Sequence, residues 1–100
     1  MNYLCKYRLL TIVNFDGFLS ALPARDEDRH IFEQIRNCFV ARYSDSLTLH
    51  RVTDIVSTLS GVEWLGEERI RPLLSRLVRE GVLRSRRCSQ HHVTLWEVNH

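Results

Sequence analysis

Two kinds of residue in the last third of the chain could do chemistry, and the rarer kind comes first. Cys88, His91 and His92 stand together in the run Cys88-Ser89-Gln90-His91-His92. A thiol and two imidazoles are donors that zinc or copper accepts. The spacing argues against a metal centre. A structural zinc takes four ligands, and adjacent residues such as His91 and His92 point to opposite faces of an extended chain. His30, His50 and His100 keep no motif spacing to this group. No metal and no other cofactor is therefore expected. The sequence also has no phosphate-cradling glycine loop, no nucleophile elbow and no paired metal-binding cysteines, so an enzyme is not expected.

The commoner chemical group is the guanidinium. Residues 69–92 carry seven arginines (Arg69, Arg71, Arg76, Arg79, Arg84, Arg86 and Arg87) against Glu80 alone, a local charge of +6. Residues 1–63 hold seven Lys/Arg and eight Asp/Glu, so the overall charge of +2 hides an asymmetry. A localised basic patch is the electrostatic footprint of a phosphate-backbone binder. Arginine adds bidentate contacts to phosphates, guanine edges and carboxylates. His91 and His92 would extend the same patch. The alternative for each arginine is a solvated face or an ion pair with a nearby glutamate. Lys6 is the one basic residue that is not arginine, a usage that a GC-rich genome would also produce.

A helix and a hairpin must position these groups. Ile70, Leu73, Leu74, Leu77 and Val78 fall at i, i+3, i+4, i+7 and i+8, one apolar stripe. Arg71, Ser75 and Arg79 fall at i, i+4 and i+8 on an opposite edge, with Arg76 bordering them. Gly81 stops the helix. Two β-type runs follow, 82–87 and 92–98, with the polar stretch 88–91 as the tip. Arg84 and Arg86 share a strand face, and Arg87 continues towards the tip. Val93, Leu95 and Glu97 take one face of the second run, and Thr94, Trp96 and Val98 the other. Trp96 either completes the core or, if exposed, anchors a protein contact.

Helix, glycine stop and arginine-bearing hairpin together resemble the winged helix-turn-helix family of DNA-binding domains. Ile70, Leu74, Leu77, Gly81, Val82 and Leu83 stand where that family has its third-helix core, the helix exit and the first wing strand. The resemblance covers residues 26–98 and implies a mainly α fold with a small β-hairpin (α+β). It divides the chain into an N-terminal extension, 1–25, and a winged-helix domain, 26–100. In such proteins the third helix approaches the major groove, and the wing touches the minor groove or the backbone. The resemblance thus implies DNA contacts from Arg69, Arg71, Ser75, Arg76, Arg79, Arg84, Arg86, Arg87, His91 and His92. It also implies a short strand at Leu47-Thr48-Leu49, ahead of the second helix.

Composition sets the outer limits. One hundred residues, 44% of them hydrophobic, suffice for one domain with a modest core, and disorder is not expected. No apolar run approaches the ~20 residues of a membrane span. The run Leu9-Leu10-Thr11-Ile12-Val13 is too short for a secretory signal and no small-residue cleavage site follows it. Three widely spaced cysteines (Cys5, Cys38, Cys88) are not a disulfide framework. The expectation is an intracellular protein, cytoplasmic or associated with DNA.

Residues 1–22 are open. Tyr3, Leu4, Tyr7, Leu10 and Val13 fit a helical stripe, while Tyr7, Leu9, Thr11, Val13 and Phe15 alternate as a strand would. The reading adopted is a helix, a turn at Asp16-Gly17 and a short helical piece before Pro23. In the winged-helix family such extensions pack on the core or build a dimer interface. Asp26-Glu27-Asp28 opens the next helix, where acidic groups suit the positive dipole end. Its stripe is Ile31, Ile35, Cys38, Phe39 and Arg42/Tyr43, with Phe32 beside it, and Cys38 is a buried inert thiol. After the polar break 43–46, a short helix over 51–59 turns Val52, Ile55, Val56 and Leu59 inward. Ser60-Gly61 ends it, and Trp64 plugs the junction to the third helix.

Three residues depart from the family's pattern. Pro72 removes a backbone hydrogen bond and crowds the preceding turn. The third helix therefore either starts near Arg71, after a separate turn over 66–70, or is kinked. Glu67 and Glu68 lie at the end that would approach DNA. They repel phosphates, although a glutamate can accept a hydrogen bond from cytosine N4. The expected function is a small transcriptional regulator that binds duplex DNA as a homodimer. The alternative is a winged-helix protein-interaction module, a subunit or inhibitor, of viral origin in one version, docking on a larger nucleic-acid-processing assembly. Glu67, Glu68 and Pro72 favour that alternative.

Overall fold

Ile70, Leu73, Leu74 and Leu77 are all buried, and the rest of the fold is arranged over their stripe. The computed structural model describes residues 3–42, 45–61 and 65–99, with side chains from residue 9 onward. Among the described residues the order is α1 (Tyr3–Ala21), α2 (Arg29–Ala41), β1 (Leu47–Thr48), α3 (Leu49–Ser60), α4 (Glu67–Arg79), β2 (Leu83–Cys88) and β3 (Val93–Val98). The fold is mixed α+β, four helices with a small antiparallel sheet of order β1-β3-β2.

The first helix is longer than expected. The helical reading of residues 3–21 holds over the extended one, but α1 runs through Asp16-Gly17 without a turn. Its buried face is Thr11, Phe15, Phe18 and Leu19, continued by Leu22 beyond the helix end, a 3.6-residue period that spans the expected break. Leu10 and Val13, expected to face inward, are exposed, as is Leu9. Tyr3, Leu4 and Tyr7 of the expected stripe have side chains outside the described residues. Phe18 meets Phe32 of α2 edge-on, ring centroids 4.9 Å apart. This is a favoured aromatic geometry, and it ties α1 into the common core.

The helix α2 begins at Arg29, after Asp28, and the Asp26 carboxylate accepts the Asp28 N–H at 2.8 Å. Phe32, Ile35, Cys38 and Phe39 are its buried residues, with Ile31 only partly covered. Burial pushes the Cys38 thiol up to about 11, with Arg42 and Arg51 opposing, so it stays protonated and unreactive. Tyr43 lies outside the described residues.

Leu47-Thr48 forms the expected strand, but Leu49 belongs to the next helix. The Thr48 hydroxyl accepts from the Arg51 N–H, a side-chain N-cap that starts α3 two residues earlier than expected. The earlier start rotates the buried stripe to Leu49, Val52, Thr53 and Val56, leaving Leu59 exposed and Ile55 partly covered. Trp64 lies outside the described residues.

Pro72 sits inside α4, which is one helix from Glu67 to Arg79 and does not start at Arg71. Pro72 is on the exposed side, whereas Ile70, Leu73, Leu74 and Leu77 bury the other side across the same turns. That burial outweighs one missing hydrogen bond near the helix start. Gly81 ends the helix as expected. The Val82 N–H reaches the Leu77 carbonyl at 2.9 Å and the Gly81 N–H the Val78 carbonyl at 3.0 Å. This is a Schellman closure, with Gly81 at φ 79°. The hairpin then starts with buried Val82 and Leu83. Cys88 pairs with Val93 in the ladder, so the tip is 89–92, one residue later than expected. His92, at φ 53°, takes the left-handed conformation of that turn.

Candidate nucleic-acid interface

The hairpin register sorts its arginines onto opposite faces. Arg84 stands across from Glu97, Ser85 from Trp96, Arg86 from Leu95 and Arg87 from Thr94. Side chains alternate along a strand, so Arg84 and Arg86 share the outer face with Leu95 and Glu97. Arg87 shares the inner face with Ser85 and Trp96. Trp96 and Val98 on that face are core residues, which resolves the Trp96 alternative in favour of burial.

On the outer face one carboxylate serves both arginines. Arg84 Nε donates to Glu97 Oε1 at 2.8 Å, and Arg86 Nε lies 3.6 Å from Oε2. The Ser46 hydroxyl also donates to Oε2, at 2.5 Å, and accepts from Arg86 at 3.3 Å. The Ser46 hydrogen bond holds the Glu97 carboxyl below the ordinary carboxylate range. Partial burial opposes that lowering, and Arg84 and Arg86 reinforce it. Arg84 and Arg86 remain exposed, but their charge is partly compensated.

The helix α4 sorts its arginines in the same way. Arg69 and Arg71, two residues apart, lie roughly 200° apart around the axis. Arg69 pairs with Asp28 at the start of α2 at 2.5 Å. Arg76 lies over the rings of Phe18 and Phe32, 5.5 and 5.6 Å from their centroids, with Asp26 at 3.7 Å. These two arginines fasten α4 to α1 and α2. Arg71, Ser75 and Arg79 form the other edge and are exposed. Of the seven arginines, Arg71, Arg79 and Arg87 have no hydrogen-bond or ion-pair partner among the described residues.

Two of those three line the same cleft. Arg71 of α4 and Arg87 of β2 line one open cleft of about 300 Å³ between the start of α4 and the hairpin tip. His50 of α3, Glu67 and His92 add charged or titratable groups, while Leu49, Val93 and Trp96 supply apolar lining. The structure therefore brings together Arg71, Arg87 and His92 of the expected contact residues. Ser75, Arg79 and His91 are exposed but do not line this cleft, and Arg69, Arg76, Arg84 and Arg86 are paired elsewhere.

Sequence reasoning missed His50 and the role of Glu97. Counting back from the expected tip, 88–91, places Leu95 across from Arg84; the Arg84–Glu97 pair appears only with the observed register, one residue later. Nothing in the sequence marks His50, whose position depends on how α3 meets α4. Its Nδ1 lies 3.3 Å from Glu67 Oε1. Among the described residues no three His, Cys, Asp or Glu side chains gather as a metal site requires. No described helix is long and apolar enough to cross a membrane. No protein-family model, curated protein or solved structure matches this chain.

Proposed function

We propose that this protein is a winged-helix DNA-binding protein, a transcriptional regulator that engages duplex DNA through α4 and the β2–β3 hairpin. One observation carries the reading: Arg71, Arg79 and Arg87, the arginines of the patch without internal partners, stand on the exposed edge of α4 and on the hairpin face turned towards it. The order α2, β1, α3, α4, β2, β3, with β1 added to the hairpin, supports the winged-helix arrangement. Affinity comes chiefly from phosphate neutralisation by these cations. With three free arginines in contact, log K falls with log salt at a slope of about −3.

The test is fluorescence anisotropy with labelled random duplex over a salt series. A slope of that size, shrinking by about one per arginine removed, supports the reading. No binding at low salt by the folded protein rejects it.

A second reading has its own observation. Leu9, Leu10 and Val13 are 59%, 43% and 64% exposed along α1. Adjacent large apolar side chains left in water mark a protein contact. On this reading the chain is an interaction module, or α1 joins two copies of it. The DNA test separates the first of these from the proposal; the second is compatible with it.

A further inference from the structure

Glu67 and Arg71 are four residues apart on α4, with the glutamate on the N-terminal side. This is the favourable order for a helical ion pair. The pair is not made. Glu67 turns instead to His50 Nδ1 at 3.3 Å, and Arg71 keeps no partner among the described residues. The imidazole of His50 is 87% exposed, so nothing in the core requires it to be there. The Glu67 carboxylate is thus partnered by His50 and not by Arg71.

The cleft that results suits one kind of ligand. Arg71 and Arg87 face it from two different elements, His92 adds a third nitrogen group from the tip, and the one carboxylate in its lining, Glu67, is paired with His50. Leu49, Val93 and Trp96 give it an apolar part. Its volume, about 300 Å³, lies at the lower end of the range for small-ligand sites. A sugar carrying a phosphate has this character, with anionic oxygens for the guanidinium forks and carbon surface for the apolar part.

We infer that the α4–hairpin cleft seats one sugar-phosphate unit between Arg71 and Arg87, and that His50 is a positioning residue that keeps Arg71 available by holding Glu67. The unit is a backbone nucleotide of bound DNA or a free phosphorylated sugar. The DNA case rests on the function proposed above.

The experiment uses the whole chain and two probes. One is labelled duplex DNA, read by anisotropy. The other is ribose 5-phosphate, read through the arginine side-chain NMR signals of Arg71 and Arg87. Expected results are a loss of about tenfold in affinity for R71A and for R87A, as removal of one charge-assisted contact implies. H50A weakens binding as well, because Glu67 then closes on Arg71, and adding E67Q to H50A restores it. That rescue separates positioning from a general structural effect, and circular dichroism checks that each variant is folded. Ribose 5-phosphate that shifts Arg71 and Arg87 while duplex DNA does not bind supports the seat and rejects the DNA reading. Duplex binding that is indifferent to R71A and R87A overturns the seat and leaves the DNA reading standing. An H50A defect that E67Q does not rescue overturns the role given to His50.

Discussion

Glu97 Oε1 accepts a 2.8 Å hydrogen bond from Arg84 Nε directly across the hairpin, and the same carboxylate lies 3.6 Å from Arg86. One half-buried acid on the outer face thus compensates two hairpin cations. Because its pKa is lowered on folding, Glu97 contributes stability that is present above the ordinary carboxylate value of 4.5 and is lost as pH falls through the lower, folded value. E97Q should therefore be less stable than the wild type near neutral pH, with the difference closing as pH falls from 4.5 through the lower, folded value. Thermal unfolding of both proteins across that range measures it. A difference independent of pH would mean that the carboxylate charge is not what matters.

Removing Glu97 also changes the surface. Arg84 and Arg86 lose their compensating charge without moving from the outer face of the hairpin. On the DNA-binding reading, E97Q raises duplex affinity at low salt and steepens the salt dependence by up to about one or two phosphate equivalents. Anisotropy over a salt series reads both quantities. Unchanged affinity and slope would place the outer face of the hairpin away from DNA.

Arg76 and Arg71 make opposite predictions although both sit on α4. Arg76 covers Phe18 and Phe32 and approaches Asp26, so R76A should lower stability by about 1 kcal/mol, the size of a partly exposed cation–π contact. On the DNA-binding reading it should leave duplex affinity within about twofold, since Arg76 is turned to Phe18, Phe32 and Asp26. R71A should do the reverse. Urea unfolding and anisotropy on the same preparations test the sorting. A large affinity loss in R76A would show that the α2-facing side of α4 also contacts DNA.

These contrasts show what the sequence made legible. The α4 stripe, Gly81 and the hairpin could be read because each depends on local rules: a 3.6-residue period, a left-handed helix exit and a two-residue alternation. The α+β class followed from them. Which arginines stay free could not be read, because Asp26 and Asp28 are distant in sequence from Arg76 and Arg69. Only the tertiary fold, which sets the loop before α2 beside α4, brings their charges together. The continuous α1 was missed for a related reason. Asp16-Gly17 is a local turn signal, and the buried run Phe15, Phe18, Leu19 and Leu22 overrides it through contact with α2. Arg87 was grouped with Arg84 and Arg86 as part of one wing patch, but strand alternation turns it towards α4.

Gly81 is where helix and hairpin are joined, and its φ of 79° is a conformation that costs a residue with a side chain about 1–2 kcal/mol. A Cβ there would meet no atom within 4 Å, so the cost of G81A is conformational and not steric. Urea unfolding of G81A should show a loss of that size. A loss well beyond it would indicate that the Val82-to-Leu77 closure had broken and the hairpin had shifted relative to α4.

The apolar face of α1 gives the last prediction. Leu9 and Val13 are one helical turn apart and Leu10 lies beside them, all exposed, while the opposite face of the helix is buried on α2. If this face joins two copies, changing Leu9 and Val13 to serine removes the contact at little cost to the monomer, within about 0.5 kcal/mol for exposed positions. Sedimentation velocity over a concentration series should show self-association in the wild type and a monomer in the double variant, with unfolding curves that otherwise agree. A wild type that sediments as a monomer throughout would exclude a second copy from this face.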